Sequence, residues 1–219
     1  YKQKYGRECG PQDTIGHIVG GVFSEVGHTM REIAHNKTVL VYMIAFFFYI
    51  DAVNTVISMS TSYGAELGID STQLVVALLV TQFVAFPCAI LYGRLAGRFG
   101  CKVMITAAVV AYMCIVLFAA FFMKSAVEFW ILAILVGMFQ GGIQALSRSY
   151  YGKIIPKDHA NEYYGFYDIF GKTASIIGTF LVATTTSLTG NASLGVLSIA
   201  VLLVVALAFL LLQKDPTRE

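Results

Sequence analysis

The sequence predicts an all-α membrane protein in which six transmembrane helices form two three-helix repeats. Three observations carry that prediction. Hydrophobic residues fill 57% of the 219 positions and charged residues only 13%, with a mean hydropathy of +0.72, far from the usage of a soluble domain. Six apolar stretches reach the ~20 residues that a helix needs to cross a hydrocarbon core about 30 Å thick. Polar residues are shared unevenly among those stretches, and the unevenness repeats in the two halves of the chain.

Residues 1–37 read as a cytoplasmic segment. Ile15, Ile18, Val19, Val22, Val26, Met30 and Ile33 recur there at helical spacing, which predicts an amphipathic helix lying on the membrane surface. A flexible linker is the alternative, because Gly20, Gly21 and Gly27 weaken a helix. The bundle follows over residues 38–212. Its spans are Thr38–Ser62, Thr72–Tyr92, Val103–Met123, Phe129–Ser149, Tyr163–Leu188 and Ser193–Leu212, and residues 213–219 form a cytoplasmic tail. Helices are required because in lipid each backbone polar group must find its partner within the segment.

Orientation follows from the basic residues. Lys2, Lys4, Arg7, Arg31, Lys37, Arg94, Arg98, Lys102, Arg148, Lys153, Lys157, Lys214 and Arg218 lie on one side, Lys124 lies on the other, and Lys172 lies within a span. Both termini are therefore expected in the cytoplasm, and a bacterial inner membrane is favoured over a vacuole. The chain opens on Tyr1 with no signal-peptide pattern, as a fragment or a processed chain would. A net charge of +2 gives no ground for a nucleic-acid partner. Cys9, Cys88, Cys101 and Cys114 lack metal-ligand spacing and read as small hydrophobes; no metal or cofactor is called for. No HExxH or GxSxG occurs and all four histidines fall outside the spans, so an enzyme is not expected.

The polar residues form stripes. The first span carries Asp51, Asn54, Thr55, Ser58 and Ser62; the fourth Gly137, Gln140, Gly141, Gln144 and Arg148; the fifth Gly165, Asp168, Lys172, Ser175 and Thr179, all at helical spacing. The third and sixth have little beyond Thr106 and Ser198, and are expected to face lipid. Such repeats are common in secondary transporters, whose sites lie near the midplane. Helix packing is the other explanation, with Gly137-x-x-x-Gly141 and Gly171-x-x-x-Ser175 as close-approach motifs.

Charge at mid-bilayer depth costs about 2.5–3.5 kcal/mol unless paired or wet. Asp168 precedes Lys172 by one turn, which predicts an ion pair. At 1.5 Å per residue Lys172 lies roughly 13 Å, and Asp51 roughly 19 Å, from the start of its helix. Asp51 is then the carboxylate without a charged partner, a candidate to carry a proton; a structural acid held by Asn54, Thr55 or Lys172 is the alternative.

The second loop reads Gly93-Arg94-Leu95-Ala96-Gly97-Arg98-Phe99-Gly100-Cys101-Lys102. It resembles the loop motif GxxxD(R/K)xG(R/K)(R/K) of the major facilitator superfamily, with Gly97 in place of the acid and Cys101 in place of a basic residue. "FFFYIDAVNTVISMSTSYGAELGI" (Phe46–Ile69) and "GGIQALSRSYYGKIIPKDHANEYYGFYDIFGKTASIIGT" (Gly141–Thr179) are similar to the vacuole-effluxer branch of that superfamily, the autophagy-related permeases and their bacterial relatives. The resemblance implies the C-terminal six-helix half of a major-facilitator fold, with amino-acid efflux in fungal members. Asp51, Asn54, Gln144, Arg148, Asp168 and Lys172 match motif positions of this branch, while Ile50 and Thr179 depart from its usual polar residue and proline.

The combined expectation is half of a permease that moves a small polar solute, such as an amino acid, by alternating access, with proton coupling as an option. Asp51, Asn54, Gln140, Gln144, Asp168 and Lys172 would bind solute or proton. Arg94, Arg98 and Arg148 would form the cytoplasmic gate. An N-terminal six-helix half or a second copy would complete the path, with the lipid bilayer around it. The alternative is a half-permease that does not transport and serves as a membrane scaffold or oligomerisation module.

Overall fold

The computed structural model describes residues 27, 30–66, 68–122, 125–213 and 215. Most of the expected surface helix lies outside them; residues 30–35 are helical, with Met30 exposed and Ile33 buried. The helices are α1 (Lys37–Glu66), α2 (Ser71–Phe99), α3 (Cys101–Phe122), α4 (Ala126–Ile154), α5 (Ala160–Thr173), α6 (Ile176–Thr189) and α7 (Ala192–Leu212). A 3-10 turn at Lys157–His159 precedes α5, and no strand occurs among the described residues. Six segments are long and apolar enough to cross a membrane; α5 and α6 together make the fifth, Ala160–Thr189.

Local chemistry fixes the helix ends. Asp70 accepts from the Thr72 N–H at 2.9 Å and Asn191 from the Ser193 N–H at 2.9 Å, so each satisfies a donor that the first turn leaves open. The Asn36 side chain accepts from the Val39 N–H at 3.4 Å. Both asparagines that open Asn-x-Ser/Thr triplets thus serve as helix-start acceptors.

The first span packs on the sixth, and the fourth on the third; the third and sixth also pack on each other, as do the first and fourth. Exchanging the first span with the fourth, the second with the fifth and the third with the sixth maps these pairs onto one another. It also maps the second–fourth contact onto the fifth–first, and the second–third onto the fifth–sixth.

The third and sixth spans do not stand out as the lipid-facing pair. Ile105, Val109 and Tyr112 of α3, and Ile199, Leu203 and Leu210 of α7, are fully buried. The most exposed span is the second: 17% of its most apolar stretch is buried, against 39% in the third and sixth. A low polar content marks residues that can touch lipid, but an equally apolar face can meet a neighbouring helix, so composition cannot tell the two apart.

Gly137 and Gly141 do let helices approach. A Cβ on Gly137 would meet the Thr81 carbonyl oxygen at 2.7 Å, and one on Gly141 the Ala85 carbonyl oxygen at 2.5 Å. Thr81 adds a hydroxyl bond to the Ala133 carbonyl at 3.2 Å across the same α2–α4 seam. The second expected motif does not act this way. A Cβ on Gly171 would find nothing nearer than Phe46 at 3.6 Å, and Ser175 sits at a break in the helix.

Candidate functional site

The fifth span is not one helix. It breaks at Ala174, which is extended (φ −63°, ψ 141°), and Ser175, which is left-handed (φ 101°, ψ −9°). Ser175 is the one non-glycine residue with positive φ among those described, a conformation that costs an L-residue about 1–2 kcal/mol. The break creates two new helix ends within a span. The α5 end carries partial negative charge and the α6 start partial positive charge.

Two of the charges within the spans answer those ends. Asp51, on α1 and fully buried, accepts from the backbone N–H groups of Ser175 and of Gly178, the latter at 2.9 Å. It thus supplies from a neighbouring helix the acceptor that an N-cap side chain normally provides. None of Asn54, Thr55 or Lys172 holds it, as the structural alternative had it. Lys172 lies in the last turn of α5, where a cation offsets the free carbonyls. Gly178 permits the close approach of α1, since a Cβ there would collide with the Thr55 hydroxyl.

The expected Asp168–Lys172 pair is not formed. Asp168 instead accepts from Arg148 Nη1 at 3.2 Å. The Arg148 guanidinium also lies 5.3 Å from the centre of the Tyr164 ring, a cation–π contact that fixes the guanidinium where it meets the carboxylate. Arg148 side chain and Asp168 side chain are 57% and 45% exposed, so the pair faces open space. Lys172 is exposed too and has no ion-pair partner among the described residues.

The remaining predicted residues divide by environment. Gln144 is exposed, one turn before Arg148 on α4, and Asn54 is half-buried. Gln140 is buried, and its side-chain oxygen has no hydrogen-bond partner among the described residues. Gln140 and Gln144 are therefore not equivalent. Arg94 and Arg98 are exposed near the end of α2, with Arg98 over the Phe99 ring at 5.6 Å. Arg148, the third residue expected at the gate, pairs with Asp168 on α5.

Sequence reasoning missed a buried hydroxyl cluster beside this site. Tyr42 donates to the Ser147 carbonyl at 3.0 Å, and the Tyr49 hydroxyl lies 2.6 Å from Ser147 Oγ. The rings of Tyr42, Tyr151, Tyr167 and Phe46 stack across α1, α4 and α5, with Phe46 and Tyr167 at 4.1 Å. The signal was available: Tyr42, Phe46 and Tyr49 share one face of α1.

Charged and amide side chains of α4 and α5 are thus exposed beside a broken span. The chain matches the family described as "Vacuole effluxer Atg22 like" over residues 5–216. It belongs to that family. It is 49% identical over 201 residues to "Uncharacterized MFS-type transporter YxiO" of Bacillus subtilis (strain 168), covering 92% of this chain and 47% of that protein. It is 27% identical over 198 residues to "Autophagy-related protein 22" of Saccharomyces cerevisiae (strain ATCC 204508 / S288c), covering 83% and 38%. Against "Autophagy-related protein 22" of Cryptococcus neoformans var. neoformans serotype D (strain JEC21 / ATCC MYA-565) the identity is 25% over 196 residues, covering 82% and 34%. The chain spans less than half the length of these Atg22-like relatives. The family and the first relative's name indicate a transporter, not an enzyme.

Proposed function

We propose that this chain is one six-helix half of a secondary transporter, moving a small polar solute by alternating access. The observation that supports this most is Lys172. A cation within a span, exposed and without an ion-pair partner among the described residues, is costly in hydrocarbon and reasonable only beside water or an anion. With Arg148, Asp168 and Gln144 on the same open face, it suits a solute carrying both a carboxylate and an amine, such as an amino acid. Lys172 would attract the carboxylate, and Gln144 and Asn54 would offer neutral hydrogen bonds. In this reading both ends of the chain lie in the cytoplasm, which the excess of basic residues on one side supports. The companion is a second six-helix bundle, either another half or a second copy.

Proteoliposomes containing the complete transporter, loaded with radiolabelled amino acids, test this. Flux with Lys172→Gln should show KM raised about tenfold, the loss of roughly one charge-assisted contact, for carboxylate solutes and unchanged for neutral ones. An equal effect on both classes would remove Lys172 from solute binding.

A scaffold role draws on a different observation, the outward face of α2, where Phe83 is 79% and Phe86 73% exposed. A tight dimer in cross-linking together with no flux for any solute would favour it.

A further inference from the structure

The break in the fifth span carries a further inference that does not rest on transport. We propose that Asp51 is a positioning residue, a cap supplied from α1 that binds α6 to α1 as one rigid body and leaves α5 to pivot at Ala174–Ser175. Four observations converge. The Asp51 carboxylate is fully buried and each of its oxygens accepts one N–H, from Ser175 and from Gly178. Ser175 holds positive φ without being glycine, so something outside it must offset that conformation. The Gly178 Cα faces Thr55 so closely that no side chain fits between them. On the other side of the break the tie is different: near the hinge α5 is held by the exposed Arg148–Asp168 pair and by aromatic stacking of Tyr167 on Phe46 and Tyr151, and its buried hydrogen bond to α4, from the Tyr151 hydroxyl to the Tyr163 carbonyl, lies at its far end. Stacked rings can slide, whereas two hydrogen bonds to one buried carboxylate fix distance and direction.

The consequence concerns the polar face. Lys172 and Asp168 ride on α5, so pivoting there would move both relative to Asn54 and Gln144 while α1 and α6 stay locked. Asp51 then acts through backbone geometry, not by touching solute.

The test uses amide exchange and spin-label distances on the complete protein in lipid nanodiscs. Exchange at residues 175–178 should quicken roughly two- to thirtyfold in Asp51→Ala, the range that losing a helix cap produces, with α7 unchanged. Asp51→Asn keeps one acceptor and should fall between. Adding Ser175→Gly to Asp51→Ala should restore part of the protection, because glycine adopts positive φ without strain. In a background without native cysteines, labels at Lys37→Cys and Leu188→Cys should give a narrow distance distribution that Asp51→Ala broadens. Labels at Asn161→Cys and Leu188→Cys, across the break, should be broad from the start. Unchanged exchange at 175–178, a rise shared equally by every span, no effect of Ser175→Gly, or equally broad distributions for both label pairs would each overturn the proposal. Should Asp51→Ala not fold, Asp51→Asn with and without Ser175→Gly decides by the same readouts.

Discussion

Arg148 on α4 and Asp168 on α5 meet at 3.2 Å with about half of each side chain exposed. An exposed pair is worth about 0–1 kcal/mol, so its place on the open face points to function before stability. Arg148→Ala and Asp168→Asn should each lower unfolding stability by less than about 1 kcal/mol, read by thermal unfolding in detergent. Solute flux should fall much further. The exchange Arg148→Asp with Asp168→Arg should recover flux over either single variant, since the two charges still meet.

Gly141 packs its Cα against the Ala85 carbonyl, with 2.5 Å left for a Cβ. Gly141→Ala should therefore push α4 off α2 and cost about 1–3 kcal/mol, as overpacking does. Gly93 lies within α2 with none of the described residues within 4 Å of its would-be Cβ. Gly93→Ala should raise stability by about 0.5–1 kcal/mol through helix propensity alone. Thermal unfolding of both variants checks the contrast; a stable Gly141→Ala protein would mean that the seam can open.

The spans and stripes were legible because both rest on spacing: a membrane thickness fixes span length, and the helical repeat fixes which residues share a face. Partners were not. The rule for residues four apart pointed Asp168 to Lys172, but the break places Lys172 in a helix's last turn, where carbonyls compete for it. Arg148, 20 residues away and steadied by Tyr164, takes the carboxylate. For Asp51 the partners are backbone N–H groups, which leave no mark in a sequence. Nor did any proline announce the break that frees them: residues 160–189 contain none.

Asp70 starts α2 outside the spans. The Thr72 hydroxyl and then the Thr72 N–H, both donating to its carboxylate, hold it below the usual carboxylate range. A folded value below the unfolded one, about 3.9, adds stability above that pH, and this is lost as pH falls through the folded value. Unfolding temperature should thus drop as pH falls below about 3.9, and Asp70→Asn should flatten that part of the profile. An unchanged slope would show that the cap contributes nothing to the fold.

The hydroxyls of Tyr42, Tyr49 and Ser147 form a set whose protons can be assigned. Ser147 Oγ donates to the Ile143 carbonyl, so it receives the Tyr49 proton at 2.6 Å. Tyr42 spends its own proton on the Ser147 carbonyl. The Tyr42 and Tyr49 oxygens, 3.1 Å apart, are then two acceptors in contact, with no proton between them. That oxygen is a reserve partner: in Ser147→Ala the Tyr49 hydroxyl can turn to Tyr42, and the loss should stay near 0.5–1.5 kcal/mol. Tyr42→Phe should cost a similar amount. Combining them leaves the buried Tyr49 hydroxyl with nowhere to donate, a penalty of about 1–3 kcal/mol. A double-mutant cycle by thermal unfolding should therefore show more than additive loss, with a coupling of about 1 kcal/mol. Simple additivity would mean that Tyr49 finds another acceptor, and that the three hydroxyls do not act as one network.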